Sequence, residues 1–409
     1  MLKRMVAIAL IFVCTSIAWA ILGATVFDRT YSADRELKER VVSTWGAPQV
    51  QPPPTATYQE TVTHTQEAIE GGQKVARVTR EEVTRWLPLD GSRIDVRLEL
   101  AHRQKGLLWY STYKVAFRGG YRFTNPGNRD LAVTFSLKYP AARAIYDDLT
   151  FLLDEKPLAV VNLKSDAVAS AVIPAGKTAV LTVAYHSHGL DTWRYEFGSD
   201  VSQVRDFQLR MTTNFKAIDF PENTLSPTDK RETSDGWELA WVYKNLVTGF
   251  QIGMVLPEKL QPGPLVGRIS LFAPVSLFFF FFLMLIITTM RGVELHPMNY
   301  FFLAAAFFAF HLLLAYAVDH ISIHAAFVIS SAVSVFLVVS YLRLVVGMRF
   351  AAVEAGVTQL IYLILFSYAF FFKGFTGLTI TIGSILTLFV VMQMTGRIPW
   401  AEKFAGKPA

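Results

Sequence analysis

Cysteine is almost absent from this chain: its single thiol, Cys14, lies in an apolar segment near the N-terminus. A lone cysteine excludes an intramolecular disulfide and any metal site built from several thiolates, so the fold must be held by its hydrophobic core. The residues just before it, 11–13, are Ile-Phe-Val and lack the small residue expected before a lipidated cysteine. This argues against a lipoprotein.

Local catalytic motifs are also missing. The sequence contains no G-x-x-x-x-G-K-[ST] loop, no H-E-x-x-H, no G-x-S-x-G and no G-x-G-x-x-G. Lys and Arg exceed Asp and Glu by 39 to 33, but no run of basic residues and no aromatic platform accompanies them. We therefore predict no enzyme, no cofactor, no metal and no nucleic acid partner, and assign the basic excess to topology and anionic lipid.

Long apolar runs are what the chain has in abundance. Each runs roughly 20 residues, enough for a helix rising about 1.5 Å per residue to cross a hydrocarbon layer of about 30 Å. The predicted transmembrane helices are 5–26, 269–290, 298–318, 321–342, 353–372 and 375–394. A signal peptide is the alternative for the first, because Lys3 and Arg4 precede an Ala-Trp-Ala sequence at 18–20; the apolar run continues to Val26, which favours a retained anchor.

Basic residues are distributed unevenly around these helices. With the N-terminus in the cytoplasm, the basic residues that fall inside are Lys3, Arg4, Arg291, Arg343, Arg349, Arg397, Lys403 and Lys407. Among the short outer loops only Lys373 falls outside. By the positive-inside rule we expect a multi-pass protein of the bacterial inner membrane with both termini cytoplasmic and residues 27–267 in the periplasm.

The stretch between the first two apolar segments has the pattern of a β protein. Apolar and polar residues alternate at 93–100 and again at 131–137, and Gly, Pro, Asn and Asp mark turns between such runs. We predict a mainly antiparallel β-sandwich or curved sheet. The fold class is thus membrane α-helical, with six transmembrane helices and a large mainly-β periplasmic domain: an anchor at 1–26, the periplasmic domain at 27–267, a five-helix domain at 268–397 and a cytoplasmic tail at 398–409.

Several motifs carry a resemblance to a known family. The most specific is the start of the third span, with His296, Pro297, Met298 and Tyr300, followed by His-Leu-Leu-Leu-Ala at 311–315. Others are Trp-Leu-Pro at 86–88, Lys-Gly-Leu-Leu-Trp-Tyr at 105–110, Thr-Asn-Phe at 213–215, Leu-Ser-Pro at 225–227 and Asp-Gly-Trp-Glu-Leu-Ala-Trp at 235–241. The chain resembles the CreD family of cell-envelope integrity proteins. That resemblance implies a role in envelope homeostasis, associated in the family with colicin tolerance and envelope stress, and implies no known catalytic residues.

Ionisable residues at bilayer depth are expensive and are candidate sites. His311, Ala315 and Asp319 recur every four residues and share one face of the third span, which leads toward His320 and His324. This pattern suggests a proton- or ion-sensing patch. The alternative is a solvated hairpin tip at Asp319 and His320 with His311 bonded to a neighbouring helix.

Glu354 begins the fifth span, where the helix dipole favours a carboxylate. We expect it to pair with Arg349 or Arg343. Elsewhere, His186 and His188 share one face of a predicted strand, and Asp191 lies nearby in the sequence. Two histidines so placed could contribute to a zinc site, but the sequence offers no clear third ligand.

These observations favour a non-enzymatic protein of cell-envelope integrity or envelope-stress response. The helices meet the lipid bilayer, and the periplasmic domain binds a partner protein or envelope component. The main alternative is a small transporter or channel using His311, Asp319 and Glu354; an enzyme using His186 and His188 is a third hypothesis. The sequence leaves the oligomeric state open.

Overall fold

The computed structural model describes residues 2–70, 73–106, 108–198, 202–372 and 374–396. The chain divides into two compact units: a helical unit of Met1–Glu36, Lys105–Leu108 and Leu260–Ala409, and a β unit of Leu37–Gln104 and Trp109–Lys259. The predicted cytoplasmic tail at 398–409 lies outside the described residues, as do the topology markers Lys373, Arg397, Lys403 and Lys407.

Six helices in the described part of the chain are long and apolar enough to cross a membrane. They are α1 (Leu2–Trp45), α2 (Pro262–Arg291), α3 (Pro297–Ala317), α4 (Ile323–Val346), α5 (Phe350–Phe371) and α6 (Thr376–Thr395). Helices α3 to α6 begin and end within a few residues of the predicted spans, and α2 begins earlier. The prediction of six long apolar helices is confirmed.

Helix α1 is longer than the apolar run that predicted it. It continues past Val26 to Trp45 through a polar stretch that has no Pro or Gly and is rich in the helix formers Ala, Glu, Leu, Lys and Arg. It ends before Gly46, whose φ of +134° suits glycine and where an added Cβ would lie 2.2 Å from the carbonyl oxygen of His188. Hydropathy therefore marks the end of the apolar segment at Val26, whereas Gly46 marks the end of the helix itself.

Glycines allow α1 to approach α2 closely. Gly263 and Gly267, four residues apart on α2, face Thr30 and Phe27 of α1, and Gly23 of α1 faces α2 in the same way. An added Cβ would lie 2.3 Å from the Thr30 hydroxyl at Gly263 and 2.9 Å from the Phe27 ring at Gly267. This is the small-xxx-small spacing by which membrane helices pack backbone against backbone. The order of the contacts makes the two helices antiparallel.

The β unit holds the strands of the structure. They are β1 (Gln49–Gln51), β2 (Thr55–Glu70), β3 (Gln73–Leu87), β4 (Leu89–Leu100), β5 (Arg103–Lys105), β6 (Leu108–Tyr110), β7 (Thr112–Thr124), β8 (Leu131–Lys138), β9 (Tyr146–Leu153), β10 (Lys156–Pro157), β11 (Val161–Asn162), β12 (Asp166–Ile173), β13 (Thr178–Leu190), β14 (Thr192–Tyr195), β15 (Ser202–Thr213), β16 (Asp229–Glu232), β17 (Trp237–Thr248) and β18 (Ile252–Val255). β5 and β6 border the short helical-unit segment at 105–108.

The strands form sheets that share one core. An eight-stranded sheet has the order β10-β9-β13-β7-β4-β15-β17-β16, a five-stranded sheet β11-β12-β8-β2-β3, and a three-stranded sheet β1-β14-β18. Pairing is antiparallel except between β4 and β15 and between β1 and β14. Phe123 of β7 meets Phe135 of β8 with ring centroids 5.5 Å apart, so the two large sheets pack face to face. The predicted alternation in β4 and β8 is confirmed by their burial patterns.

We expect Gly263→Ala to destabilise the helical unit because its Cβ has no room against Thr30. Overpacking of this kind typically costs about 1–3 kcal/mol. Gly383→Ala in α6 is the matched control, since nothing lies within 4 Å of the Cβ it would add. Thermal denaturation of the purified protein measures both; equal melting temperatures for the two variants would contradict the close contact.

Candidate functional site

His311 lies in the middle of α3 and is fully buried. Its Nδ1 donates to the carbonyl oxygen of Phe307 at 2.9 Å, which leaves Nε2 as the lone-pair nitrogen. The Trp19 ring of α1 meets the imidazole at 5.4 Å, and Phe310 meets it at 4.8 Å. Nε2 is buried and has no hydrogen-bond partner among the described residues. His311 is thus a buried imidazole enclosed by aromatic rings.

Asp319 follows α3 and meets α1. Arg29 donates from Nη2 to the Asp319 carboxylate and to the Ala315 carbonyl oxygen, both at 3.2 Å, and its guanidinium lies 5.4 Å from the centre of the Tyr316 ring. The predicted face of His311, Ala315 and Asp319 is therefore the face on which α1 packs. Arg29 was missed because it follows the apolar run, where the predicted anchor had already ended.

The two other histidines of the predicted patch lie apart from His311. His320 is exposed in the turn after α3, and its backbone N–H donates to the Ala317 carbonyl oxygen at 3.0 Å. His324 begins α4, and its ring lies 5.3 Å from that of Phe371 at the end of α5. Neither ring shares a contact with the imidazole of His311 among the described residues.

Glu354 lies in the first turns of α5 and pairs with Arg291 at 2.9 Å. The expected pairing with Arg349 or Arg343 is wrong. Helices α2 and α5 pack antiparallel, so the last turn of α2 brings Arg291 to the start of α5. The second carboxylate oxygen, Oε2, is buried without a hydrogen-bond partner in the described part of the chain.

The three ionisable candidates do not converge on one site. His311 meets Trp19, Asp319 meets Arg29 and Glu354 meets Arg291, so each has its own partner on another helix. The space between the helices is filled by aromatic side chains, as where Phe280 and Phe307 meet at 4.5 Å. The arrangement resembles separate helix contacts more than a continuous polar path.

A polar network that the sequence reasoning missed centres on Gln359 of α5. Its Nε2 donates to the Ser334 hydroxyl of α4 at 2.8 Å, and Ser334 donates to the Ala306 carbonyl oxygen of α3 at 2.8 Å. Gln359 is fully buried and its Oε1 has no partner among the described residues. An amide in the middle of an apolar span was the signal that could have located it.

Helix α5 also departs from regular α geometry. It contains two π-helical turns, Phe350–Ala355 and Leu360–Leu365, and such turns are frequent at functional sites. The Ser276 hydroxyl of α2 donates to the Tyr362 carbonyl oxygen in the second, and the Tyr362 hydroxyl donates to Thr387 of α6 at 2.8 Å. Hydroxyls from neighbouring helices thus satisfy backbone and side-chain groups of the irregular stretch.

The motif at the start of the third span is a helix cap. His296 accepts the Met298 backbone N–H at its Nδ1 over 3.2 Å, and Pro297 occupies the first helical position. Tyr300 is fully buried, edge-on to Phe281 at 5.2 Å. Met298 is half exposed. These residues therefore position α3, and they form no pocket with one another.

In the β unit, His186 and His188 have separate surroundings. His186 is exposed, with Nδ1 3.5 Å from the Asp148 carboxylate. His188 is half-buried and stacks on Trp45 at 4.3 Å, and the Arg103 guanidinium lies 3.5 Å from the Trp45 ring centre. Across the described ranges, no group of three or more His, Cys, Asp or Glu side chains is placed to hold a metal ion.

A cleft at the rim of the β unit is lined by both polar and apolar side chains. It has a volume of about 400 Å³ and lies where β2, β3, β4, β14 and β15 approach one another. Tyr195, Phe197 and Phe207 line it together, with ring centroids 4.9–5.7 Å apart. Trp86, 68% exposed, and Arg205 also line it. We call this the rim cleft.

We expect the stability of the β unit to fall as the pH drops below about 6.5, in part through His188. Burial, with the nearby Lys114 and Arg103 cations, lowers the pKa of His188 below its ordinary value of 6.5. The unfolded chain then binds the proton first, so stability is present above pH 6.5 and is lost below it until the folded imidazole also titrates.

The measurement is the melting temperature of wild type, His188→Asn and the exposed-site control His186→Asn across this pH range. His188→Asn should flatten the slope and His186→Asn should retain it. Identical slopes for His188→Asn and wild type would refute this role for His188.

Comparisons with solved structures give only distant similarities. A candidate nutrient binding protein from Legionella pneumophila aligns with 48% of this chain and 74% of its own, at 10% identity and a TM-score of 0.32. The M1 zinc metallopeptidase from Deinococcus radiodurans aligns with 41% of this chain and 42% of its own, at 10% identity and a TM-score of 0.26. Similarity at this level supports no functional conclusion.

No curated protein matches the chain in sequence. Residues 209–401 match the family profile described as Inner membrane protein CreD. The matched stretch includes the capping motif at the start of α3, His311, Glu354 and the Gln359 network. The match covers slightly less than half of the chain, and over these residues the chain is similar to the CreD family of inner membrane proteins.

Proposed function

We propose that this chain is a non-enzymatic protein of cell-envelope integrity or envelope-stress response. Its six helices cross the inner membrane with both termini in the cytoplasm, and its β unit lies in the periplasm and binds a partner or an envelope component. The observation that carries the proposal is the contrast between the units. The candidate carboxylates of the helices, Asp319 and Glu354, are paired with arginines of neighbouring helices, whereas the β unit presents a cleft lined by an exposed indole and an exposed guanidinium.

The helical unit supports an anchoring role. Arg29 and Arg291 each hold a candidate carboxylate against a different helix, and aromatic rings fill the space around His311. Partly exposed pairs of this kind contribute at most about 1 kcal/mol each, but they set which helix faces meet. Positioning the helices is a sufficient role for these charges.

A small transporter or channel is the second candidate. Buried polar atoms favour it, since His311 Nε2, Glu354 Oε2 and Gln359 Oε1 are among those that have no hydrogen-bond partner in the described residues. Buried polar atoms without partners are rare in proteins and are found at functional sites. The lack of contact between His311, Asp319 and Glu354 weighs against a shared ion path.

We expect the variant His311→Ala/Asp319→Asn/Glu354→Gln to restore envelope resistance to a deletion strain as well as wild type does. The reason is that the proposed activity belongs to the β unit. The measurement is survival under envelope stress, with the membrane level of each protein checked by blot.

The matched control is His64→Ala/Asp235→Asn/Glu258→Gln, which makes the same chemical changes at exposed residues of the β unit. Loss of protection by the first variant alone, at a normal membrane level, would overturn the anchoring role and support transport or proton-linked signalling through the helices.

A further prediction concerns topology. Alkaline phosphatase fused after Lys259 should be active, because it requires the disulfides that form outside the cytoplasm. A fluorescent protein fused to the C-terminus should be fluorescent, because that end is proposed to be cytoplasmic. Exchanging the reporters should silence both fusions. Two active alkaline phosphatase fusions would mean that an even number of helices, and not the proposed five, crosses the membrane between the two positions.

A further inference from the structure

We propose that the rim cleft binds a pyranose sugar bearing a single carboxylate. This inference rests on the proposed function, in which the β unit meets an envelope component, and specifies the chemistry of that component. The volume of about 400 Å³ falls in the range of small-molecule sites, roughly 300–1,000 Å³.

The aromatic side of the cleft fits a sugar ring. Trp86 is 68% exposed, and no aromatic ring of the described residues packs against it. An indole that is held open beside a cavity has both a flat apolar face and a polar N–H. A pyranose presents a face of C–H bonds that packs on such a ring, with hydroxyls around its edge. Pro54 and Phe197 add apolar walls beside it.

The polar side of the cleft supplies hydrogen-bonding groups at the edge of such a ring. The Ser92 hydroxyl, the Gln203 amide and the Arg205 guanidinium all line it. Arg205 donates to Gln203 Oε1 at 3.2 Å and forms no ion pair with any carboxylate of the described residues. One unpaired cation matches one negative charge, and a guanidinium matches a carboxylate in shape.

Other ligand chemistries fit less well. A lipid acyl chain would cover the exposed Arg205 guanidinium without supplying a partner of opposite charge, which is costly. A neutral sugar would leave the Arg205 cation unused. A proline-rich peptide would pack on Trp86 but offers no charge for Arg205. The combination of an open indole, uncharged hydrogen-bonding groups and one cation is met by an acidic sugar.

The test uses two disaccharides and the full-length protein in lipid nanodiscs, which avoid sugar-based detergents. The probes are N-acetylglucosaminyl-N-acetylmuramic acid, which carries one carboxylate, and N,N′-diacetylchitobiose, its neutral counterpart of similar size. Saturation-transfer NMR detects binding, and titration measures affinity. We expect the acidic disaccharide to bind about tenfold or more tightly than N,N′-diacetylchitobiose, as one charge-assisted hydrogen bond allows.

The variants separate the two halves of the cleft. Trp86→Ala should abolish binding and Trp86→Phe should retain part of it, while Arg205→Gln should remove the preference for the acidic sugar. Arg118→Gln, an exposed arginine on the outer face of β7, is the matched control and should bind as wild type does. Melting temperatures establish that each variant is folded.

The proposal is overturned if wild type binds neither disaccharide, if Trp86→Ala binds as tightly as wild type, or if only a proline-rich decapeptide binds. Resistance of cells to envelope stress plays no part in this readout. A failed complementation experiment would therefore contradict the proposed function and leave the binding result standing.

Discussion

The close approach of α1 to α2 is the contact on which the helical unit depends. Gly263 and Gly267 leave no side chain between the helices, so α1 lies against α2 and along α3. Only in that position does Trp19 reach His311 and Arg29 reach Asp319. A bulky residue at the crossing would separate α1 from the other helices and expose two polar groups of α3.

The helical unit must also provide hydrogen-bond partners for the polar groups that it buries. Within an apolar environment, each polar group needs a partner inside the protein. Helix α5 departs from α geometry at two π turns, and the Ser276 hydroxyl satisfies the Tyr362 carbonyl oxygen there. The Gln359 amide joins α5 to α4 in the same part of the structure. The irregular helix is thus tied to its neighbours by hydrogen bonds as well as by packing.

The β unit is held together by a core between its sheets. Alternation along its strands sends one set of side chains into a core shared by two sheets, where Phe123 and Phe135 meet. At the edge of this core, the rings of Tyr195, Phe197 and Phe207 also line the rim cleft. Trp86, at the end of a strand, is left exposed beside them. The cleft that we propose as a binding site therefore lies at the edge of the core.

The sequence by itself determined the elements of this protein. Runs of about 20 apolar residues specify long helices, and period-two alternation specifies strands, because both signals are local. Only the tertiary structure decided which side chains lie together. Glu354 pairs with Arg291, Asp319 pairs with Arg29, and Trp86 lines the rim cleft together with Arg205. The members of each pair lie far apart in the chain, and their proximity depends on how the helices and the sheets pack. Side-chain packing sets this arrangement, and no local pattern encodes it.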